Sequence, residues 1–356
     1  MKYLVALKPL LHNTCHQSYA ILLEIDWTEK RILRNLKIPS ASFTSNNGYM
    51  RSNLQGIAIH GDRIYLTLWN FVVIVDYQSF NIIDSFSHPL MSDLHGIAVT
   101  DGEVLVCSTA IDTLLCFDRS SQKLNWHWRP DDSQLDSKVT LPRLFGIFLR
   151  KTNVISKVLY RLGILDIVIN KFKINFETKD YRGLDKTRSM MHFHHLNEVA
   201  VVEDKIYILT KGWNDSVSSS MIQLNMHDLH TAKFTASPGT FSGAHDIVLI
   251  DHMVYVTESH SASIGRAVIG GSKTARHWKV TDDGYFIRGL CETSDSSFIV
   301  GFTPPRNAHP NISRQPFLRE FSSNSFDSFT GEMHLNCFYS DSIGGAIHCI
   351  KRVPVS

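Results

Sequence analysis

One place in a repeated sequence unit is always polar, and half the time it is histidine. The six copies read L-Q-G-I-A-I at Gln55, L-H-G-I-A-V at His95, L-N-E-V-A-V at Asn197, A-H-D-I-V-L at His245, I-R-G-L-C-E at Arg288 and I-H-C-I-K-R at His348. An apolar residue precedes each of them, so a polar column runs through an apolar frame. Such groups must be satisfied by water, a ligand or a metal. His95, His245 and His348 alternate with Gln55, Asn197 and Arg288. Three imidazoles in threefold spacing can meet on one divalent ion, and neutral imidazole suits zinc, iron or copper. A three-histidine site keeps a coordination position open for water or substrate. A hydrogen-bonded channel lined with water is the plainer reading of the same column.

The residues around the column extend this chemistry. Arg288 is suited to clamping a carboxylate or phosphate, or else to a salt bridge with a neighbouring unit. Asn197 and Gln55 are candidate hydrogen-bond partners of a substrate. His195 lies two residues before Asn197 in M-H-F-H-H-L-N and is a candidate proton carrier, whereas His192 and His194 read as loop histidines. Glu198 and Asp246 directly follow column residues. They are placed to orient imidazoles, but strand alternation favours hydrogen bonds between neighbouring units. Loops further along carry Trp69 and Trp213 as candidate apolar walls, with Asn70, Lys211, Asn214, Glu258 and His260 nearby. A proline-rich loop at 303–313 is a further rim candidate.

The elements that must position these residues are short strands. From Leu54 the chain reads L-Q-G-I-A-I-H-G-D-R-I-Y-L-T, F-V-V-I-V-D and N-I-I-D-S-F; from Leu94 it reads L-H-G-I-A-V-T-D-G-E-V-L-V-C-S-T, T-L-L-C-F-D and K-L-N-W-H-W. Alternating or wholly apolar runs of this length, punctuated by Gly, Asp and Asn, are strands. The unit returns at Leu196, Ala244 and Ile287. A sixth is split: its first strand starts at Ile347, and Tyr3–Leu7, Ser18–Ile25 and Arg31–Ile38 supply the rest. The pattern predicts an all-β fold, a six-bladed β-propeller over residues 1–356 closed by the C-terminal strand joining the N-terminal blade. Closure removes exposed sheet edges, and the column becomes a ring around the central channel.

These units resemble six-bladed propellers of the SMP-30/gluconolactonase and NHL-repeat type. In architecture the chain is also similar to the peptidyl-hydroxyglycine amidating lyases, six-bladed propellers that hold zinc with three histidines from separate blades. That resemblance implies a metal role for His95, His245 and His348.

Residues 129–192, between the third and fourth blades, exceed a blade connection. Within them, Lys151–Phe172 is rich in Ile, Leu and Val with interspersed Lys157, Arg161 and Lys171, a pattern for one or two amphipathic helices. Packing on one face of the disk, a lid over the channel, an oligomer contact and a membrane-surface patch are all open to it.

Composition narrows the function classes. The net charge of +2 and the lack of a basic block give no nucleic-acid surface. No apolar run reaches the roughly 18 residues of a membrane span, and the N-terminal apolar stretch, broken by Lys8 and Pro9, reads as a strand. The six cysteines form no C-x-x-C pair, and Cys107, Cys116 and Cys349 sit in apolar strands, which favours a reducing, cytoplasmic setting. Neither G-x-S-x-G, a Walker loop, H-E-x-x-H nor a Rossmann fingerprint occurs. The reading is a metal-dependent enzyme acting on a small anionic substrate: a hydrolase or lyase with zinc, an oxygenase or oxidase with iron or copper. Its alternative is a non-catalytic binding module that uses the rim and the insertion to hold a protein or ligand.

Overall fold

The computed structural model describes residues 1–9, 19–39, 54–130, 180–182, 194–211, 218–259, 261–271, 275–280, 284–293, 296–304, 315–323, 325–335 and 345–354. They form six four-stranded antiparallel sheets. Blade 1 joins β24 (Gly345–Arg352) to β1 (Lys2–Pro9), β2 (Tyr19–Asp26) and β3 (Arg31–Pro39). Blade 2 holds β4 (Gly56–His60), β5 (Arg63–Thr67), β6 (Val72–Asp76) and β7 (Ile82–Phe86), and blade 3 holds β8 (Leu94–Val99), β9 (Glu103–Ser108), β10 (Thr113–Asp118) and β11 (Leu124–Trp128). Blade 4 runs β12 (Leu196–Val202), β13 (Lys205–Thr210), β14 (Ser218–Asn225) and β15 (Asp228–Ser242). Blade 5 runs β16 (Ala244–Ile250), β17 (Met253–Glu258), β18 (Ser263–Val268) and β19 (Arg276–Lys279), and blade 6 runs β20 (Phe286–Glu292), β21 (Ser297–Thr303), β22 (Phe317–Ser322) and β23 (Ser325–His334).

The innermost strands touch in the cyclic order β24, β4, β8, β12, β16, β20 and back to β24. The fold is therefore the expected closed six-bladed propeller, with the C-terminal strand completing the N-terminal blade. Middle strands such as V-V-I-V-D of β6 are buried on both faces and so read as unbroken apolar runs. Outer strands such as β7 are half exposed.

Each gap between adjacent blades carries its own apolar core. Leu4 and Leu22 pack on Ile57 and Val73 between blades 1 and 2. Leu105 and Leu114 pack on Ile206 and Ile222 between blades 3 and 4. Ile21 and Val5 pack on Ile299 and Leu318 where blade 6 meets blade 1. Burial spread round the ring in this way makes closure cooperative, because opening any gap exposes two blade faces.

Of the insertion only Arg129, Pro130 and Asp180–Arg182 are described, and the expected helices over Lys151–Phe172 lie outside the described residues. Tyr181 is buried in the core between blades 2 and 3, its amide donating to Pro89 O at 2.7 Å. Among the described residues the one helical piece is a 3-10 turn at Thr109–Ile111, and no helix is long and apolar enough to cross a membrane. Cys107, Cys116, Cys291 and Cys349 are buried free thiols.

Candidate polar ring at the channel

A recurrent irregularity of the inner strands positions the column. Pairing with the next strand skips a step between Leu94 and Ile97, Leu196 and Glu198, His245 and Val248, and Ile287 and Leu290. On β24 the register passes from Cys349 to Ile347, leaving His348 out. These are β-bulges, which bend a strand and re-aim its side chains. Asp246 and Gly289 adopt positive φ, 54° and 78°, inside them. Simple alternation therefore fails where the column lies.

Hydroxyl groups stitch neighbouring blades together at five of the six junctions at this level. Thr67 Oγ1 donates to His95 O at 2.6 Å, Thr109 Oγ1 to Leu196 O, and Ser259 Oγ to Ile287 O at 2.9 Å. Ser219 Oγ accepts from Ala244 N at 2.9 Å, and Thr303 Oγ1 from Ile347 N at 2.9 Å. Thr67, Thr109, Ser259 and Thr303 lie at or just beyond the end of the preceding blade's second strand, and Ser219 lies at the start of the third.

Polar contacts join the column side chains in one open arc from Gln55 to His348. Gln55 Nε2 donates to Asp93 Oδ1 at 3.5 Å, and Asp93 Oδ1 lies 3.6 Å from His95 Nε2. His95 Nδ1 meets Asn197 Oδ1 at 2.6 Å. Asn197 Nδ2 donates to Ala244 O at 2.7 Å and also meets His245 Nδ1. Arg288 closes the arc, with Nη2 at 3.2 Å from His245 Nε2 and Nη1 at 2.9 Å from His348 Nδ1. Gln55, His95, Asn197 and His245 are buried, and Arg288 is half-buried.

The amide orientation fixes the tautomers. Because Ala244 O can only accept, Asn197 Nδ2 points toward blade 5 and Asn197 Oδ1 toward blade 3. His95 then carries its proton on Nδ1, and His245 Nδ1 accepts. Burial, followed by the charges of Arg288 and Lys211 and by His95 and His195, holds the His245 imidazole well below its ordinary pKa. Neutral His245 therefore keeps its single proton on Nε2.

Sequence reasoning missed three residues that shape the site. Asp93, buried and at φ 50°, links Gln55 to His95. Asp112 accepts the amides of His194 and His195, each at 2.7 Å, and sets the start of β12. With that support, buried His195 stands edge-on to His95, ring centres 5.2 Å apart. Lys351 lies three residues beyond His348 on β24. A general signal for Asp93 and Asp112 exists in retrospect: aspartate tolerates the left-handed backbone region that both occupy.

Residues next to the column, Glu198 and Asp246, and Lys351 on β24 form a second set of mutually interacting charges. Burial pushes the Glu198 carboxyl up to about 7, with Lys351 lowering it and Asp246 raising it. Burial also raises Asp246, opposed by hydrogen bonds from Thr257 Oγ1 at 2.6 Å and Gly289 N at 2.9 Å. Burial works against the Lys351 ammonium, but the acidic groups around it, Glu198 and Asp246 among them, hold it above its ordinary range. The bond from Gly289 does join blade 5 to blade 6, as strand reasoning expected for Asp246.

The remaining candidates are spread out. Trp69 is buried, and its carbonyl accepts Leu94 N at 3.0 Å. Asn70 Nδ2 donates to Arg182 O at 3.1 Å, so it anchors the insertion. Lys211 N donates to His195 O at 3.0 Å, and Glu258 bonds Ser242 N at 2.7 Å and His277 Nδ1 at 2.6 Å. His192, Trp213, Asn214, His260 and most of the 303–313 loop lie outside the described residues. Among the described residues, no group of three or more His, Cys, Asp or Glu side chains is arranged to hold a metal ion.

No family model matches the chain, and no curated protein matches it in sequence. Solved structures do. A protein of unknown function from Bacteroides caccae aligns over 98% of both chains with a TM-score of 0.54 at 10% identity. A chain of a nidogen/laminin complex aligns over 99% of this chain and 98% of its own, with a TM-score of 0.56 at 7% identity. At such identities the likeness shows the fold alone: this chain is a six-bladed β-propeller.

Proposed function

We propose that the ringed end of the channel binds a small molecule bearing a carboxylate or phosphate and carries out proton-transfer chemistry on it. One observation carries this reading. His245 Nε2–H and the Arg288 Nη2 hydrogens are both donors, and their nitrogens stand 3.2 Å apart. Two donors so close repel each other, and an oxyanion within reach of both relieves that repulsion with charge-assisted bonds. Arg288 is more exposed than His95, Asn197 and His245, which suits a ligand arriving from solvent. In this reading Asn197 holds the tautomers of His95 and His245, and His195 exchanges protons beside His95.

A three-histidine metal centre is the second reading, favoured by His95. With its proton on Nδ1, His95 Nε2 carries the lone pair that a metal needs. His245 would have to move its proton to Nδ1, and Asn197 would have to turn its amide away from Ala244 O. Arg288 would have to leave both imidazoles, as it would on meeting an anionic substrate. A likeness to the three-histidine amidating lyases or to SMP-30 and NHL propellers belongs with this reading. The buried free thiols support a reducing, cytoplasmic location. An oligomer contact through the insertion is a separate proposal.

The test is calorimetric titration of sulfate and acetate into the native protein and the Arg288→Gln variant, beside elemental analysis of both. Binding by the native protein alone supports the anion site. One equivalent of zinc, iron or copper that is lost on changing His95, His245 and His348 to alanine supports the metal centre.

A further inference from the structure

We infer that Asp246 is a positioning residue of the anion site: its side chain holds the Gly289 amide and so sets the backbone turn from which Arg288 reaches His245 and His348. This rests on the anion site proposed above and names a residue that builds it.

Consecutive residues of blade 5 meet consecutive residues of blade 6. His245 Nε2 lies 3.2 Å from Arg288 Nη2, and Asp246 Oδ2 accepts from Gly289 N at 2.9 Å. In a plain strand, neighbouring side chains point to opposite faces. The bulge in β16 and the φ of 54° at Asp246 break that alternation, so both side chains reach the same neighbouring blade. Thr257 Oγ1 ties the two residues together, at 3.0 Å from His245 O and 2.6 Å from Asp246 Oδ2.

The turn that carries Arg288 is confined by other strands as well. Gly289 has a φ of 78°, and a Cβ there would stand 2.7 Å from Ile350 Cγ1 on β24. A Cβ at Gly301 on β21 would stand 2.3 Å from Arg288 O. Packing therefore limits where the Arg288–Gly289 peptide can lie, and Asp246 supplies the polar bond that directs its amide. Asp246 is buried, so water cannot readily replace that bond. A guanidinium mounted on a fixed backbone is partly ordered before an anion arrives, and less of the binding free energy goes into ordering it. Burial raises the Asp246 carboxyl, whereas the bonds from Thr257 and Gly289 and then the charges of Lys351 and Arg288 oppose it.

Position and charge act in opposite directions here, because a carboxylate beside the site repels an anion while the bond it accepts aims the arginine. The two are separable by titrating sulfate calorimetrically into the native protein, Asp246→Asn and Asp246→Ala, each first shown to be folded by circular dichroism. Asp246→Asn keeps an oxygen for the Gly289 amide and sheds the charge, so it should bind sulfate at least as tightly as the native protein. Asp246→Ala loses both and should bind about tenfold more weakly. Nitrogen NMR of histidine-labelled protein without sulfate reads the position itself. The imidazole signals of His245 and His348 that move in Arg288→Gln should move the same way in Asp246→Ala and stay near native in Asp246→Asn. If Asp246→Ala does not fold, Thr257→Val removes the hydroxyl that steadies Asp246 and should move the same signals part of the way. Native-like histidine signals in Asp246→Ala, or in Thr257→Val where it stands in, overturn the inference and leave the anion site standing. So does a rise in sulfate affinity in both Asp246 variants, the mark of charge alone. No sulfate binding by the native protein overturns the anion site, and the histidine signals then still decide whether Asp246 aims Arg288.

Discussion

Arg288 Nη2 lies 3.2 Å from His245 Nε2, and the hydrogen bonds of Asn197 leave a proton on each. The pair is a meeting of two donors, whereas the neighbouring contacts from His95 through Asn197 to His245 match donor to acceptor. In the proposed function, that mismatch is where an oxyanion docks.

Arginine and lysine should differ at position 288. Arg288→Gln is expected to lower sulfate and acetate affinity about 10- to 100-fold, the effect of losing a charged hydrogen bond. Arg288→Lys keeps the charge but cannot span His245 and His348 with two nitrogens, so it should restore only part of that loss. Isothermal calorimetry of the three proteins checks the order.

Stability should respond to pH through two groups of opposite sign. Glu198 has a folded pKa of about 7 against an ordinary 4.5, so the folded state holds its proton longer and loses stability as pH rises between those values. His245 is held below its ordinary 6.5, so the unfolded state gains a proton first and stability is lost as pH falls below that value. Each slope is at most about 1.4 kcal/mol per pH unit. Chemical denaturation from about pH 4.5 to 6.5 should show the two slopes offsetting each other in the native protein, stability falling on acidification in Glu198→Gln and falling as pH rises in His245→Gln.

Asp112 should matter for the entrance to β12. Asp112→Ala removes the acceptor of two amides, His194 N and His195 N, and is expected to cost about 2–4 kcal/mol. Asp112→Asn keeps an oxygen and tolerates the φ of 48° at this position, so it should cost clearly less. Thermal unfolding of both variants tests the ranking.

Gly96 should tolerate no side chain. A Cβ there would stand 2.5 Å from Glu198 Cα and 2.7 Å from Val199 N, both backbone atoms that cannot swing aside. Gly96→Ala is expected to destabilise by about 1–3 kcal/mol or more, whereas Gly102→Ala, at a turn with open space around it, should be nearly neutral. Paired unfolding curves distinguish them.

Much of this molecule is legible in its sequence because propeller blades repeat. The recurrence of Gln55, His95, Asn197, His245, Arg288 and His348 is enough to place a ring, and the split sixth unit implies the closing strand. The chemistry of the ring is less legible. Whether His95 and His245 share an ion or share Asn197 depends on amide orientation and on bulges such as Asp246–Ile247, which no local pattern announces. Asp93 and Lys351 escape the pattern because neither belongs to a polar column: one precedes β8, and the other stands where the other units carry Ala58, Ala98, Ala200, Val248 and Cys291. Trp69, a candidate pocket wall from its loop position, is buried.

The most direct test of an anion site at Arg288 is titration of sulfate into the native protein and into Arg288→Gln near neutral pH and at low salt. Saturable one-to-one binding by the native protein is predicted, with a loss of at least about tenfold in the variant. Equal affinity in the two proteins, or no binding in either, would contradict it.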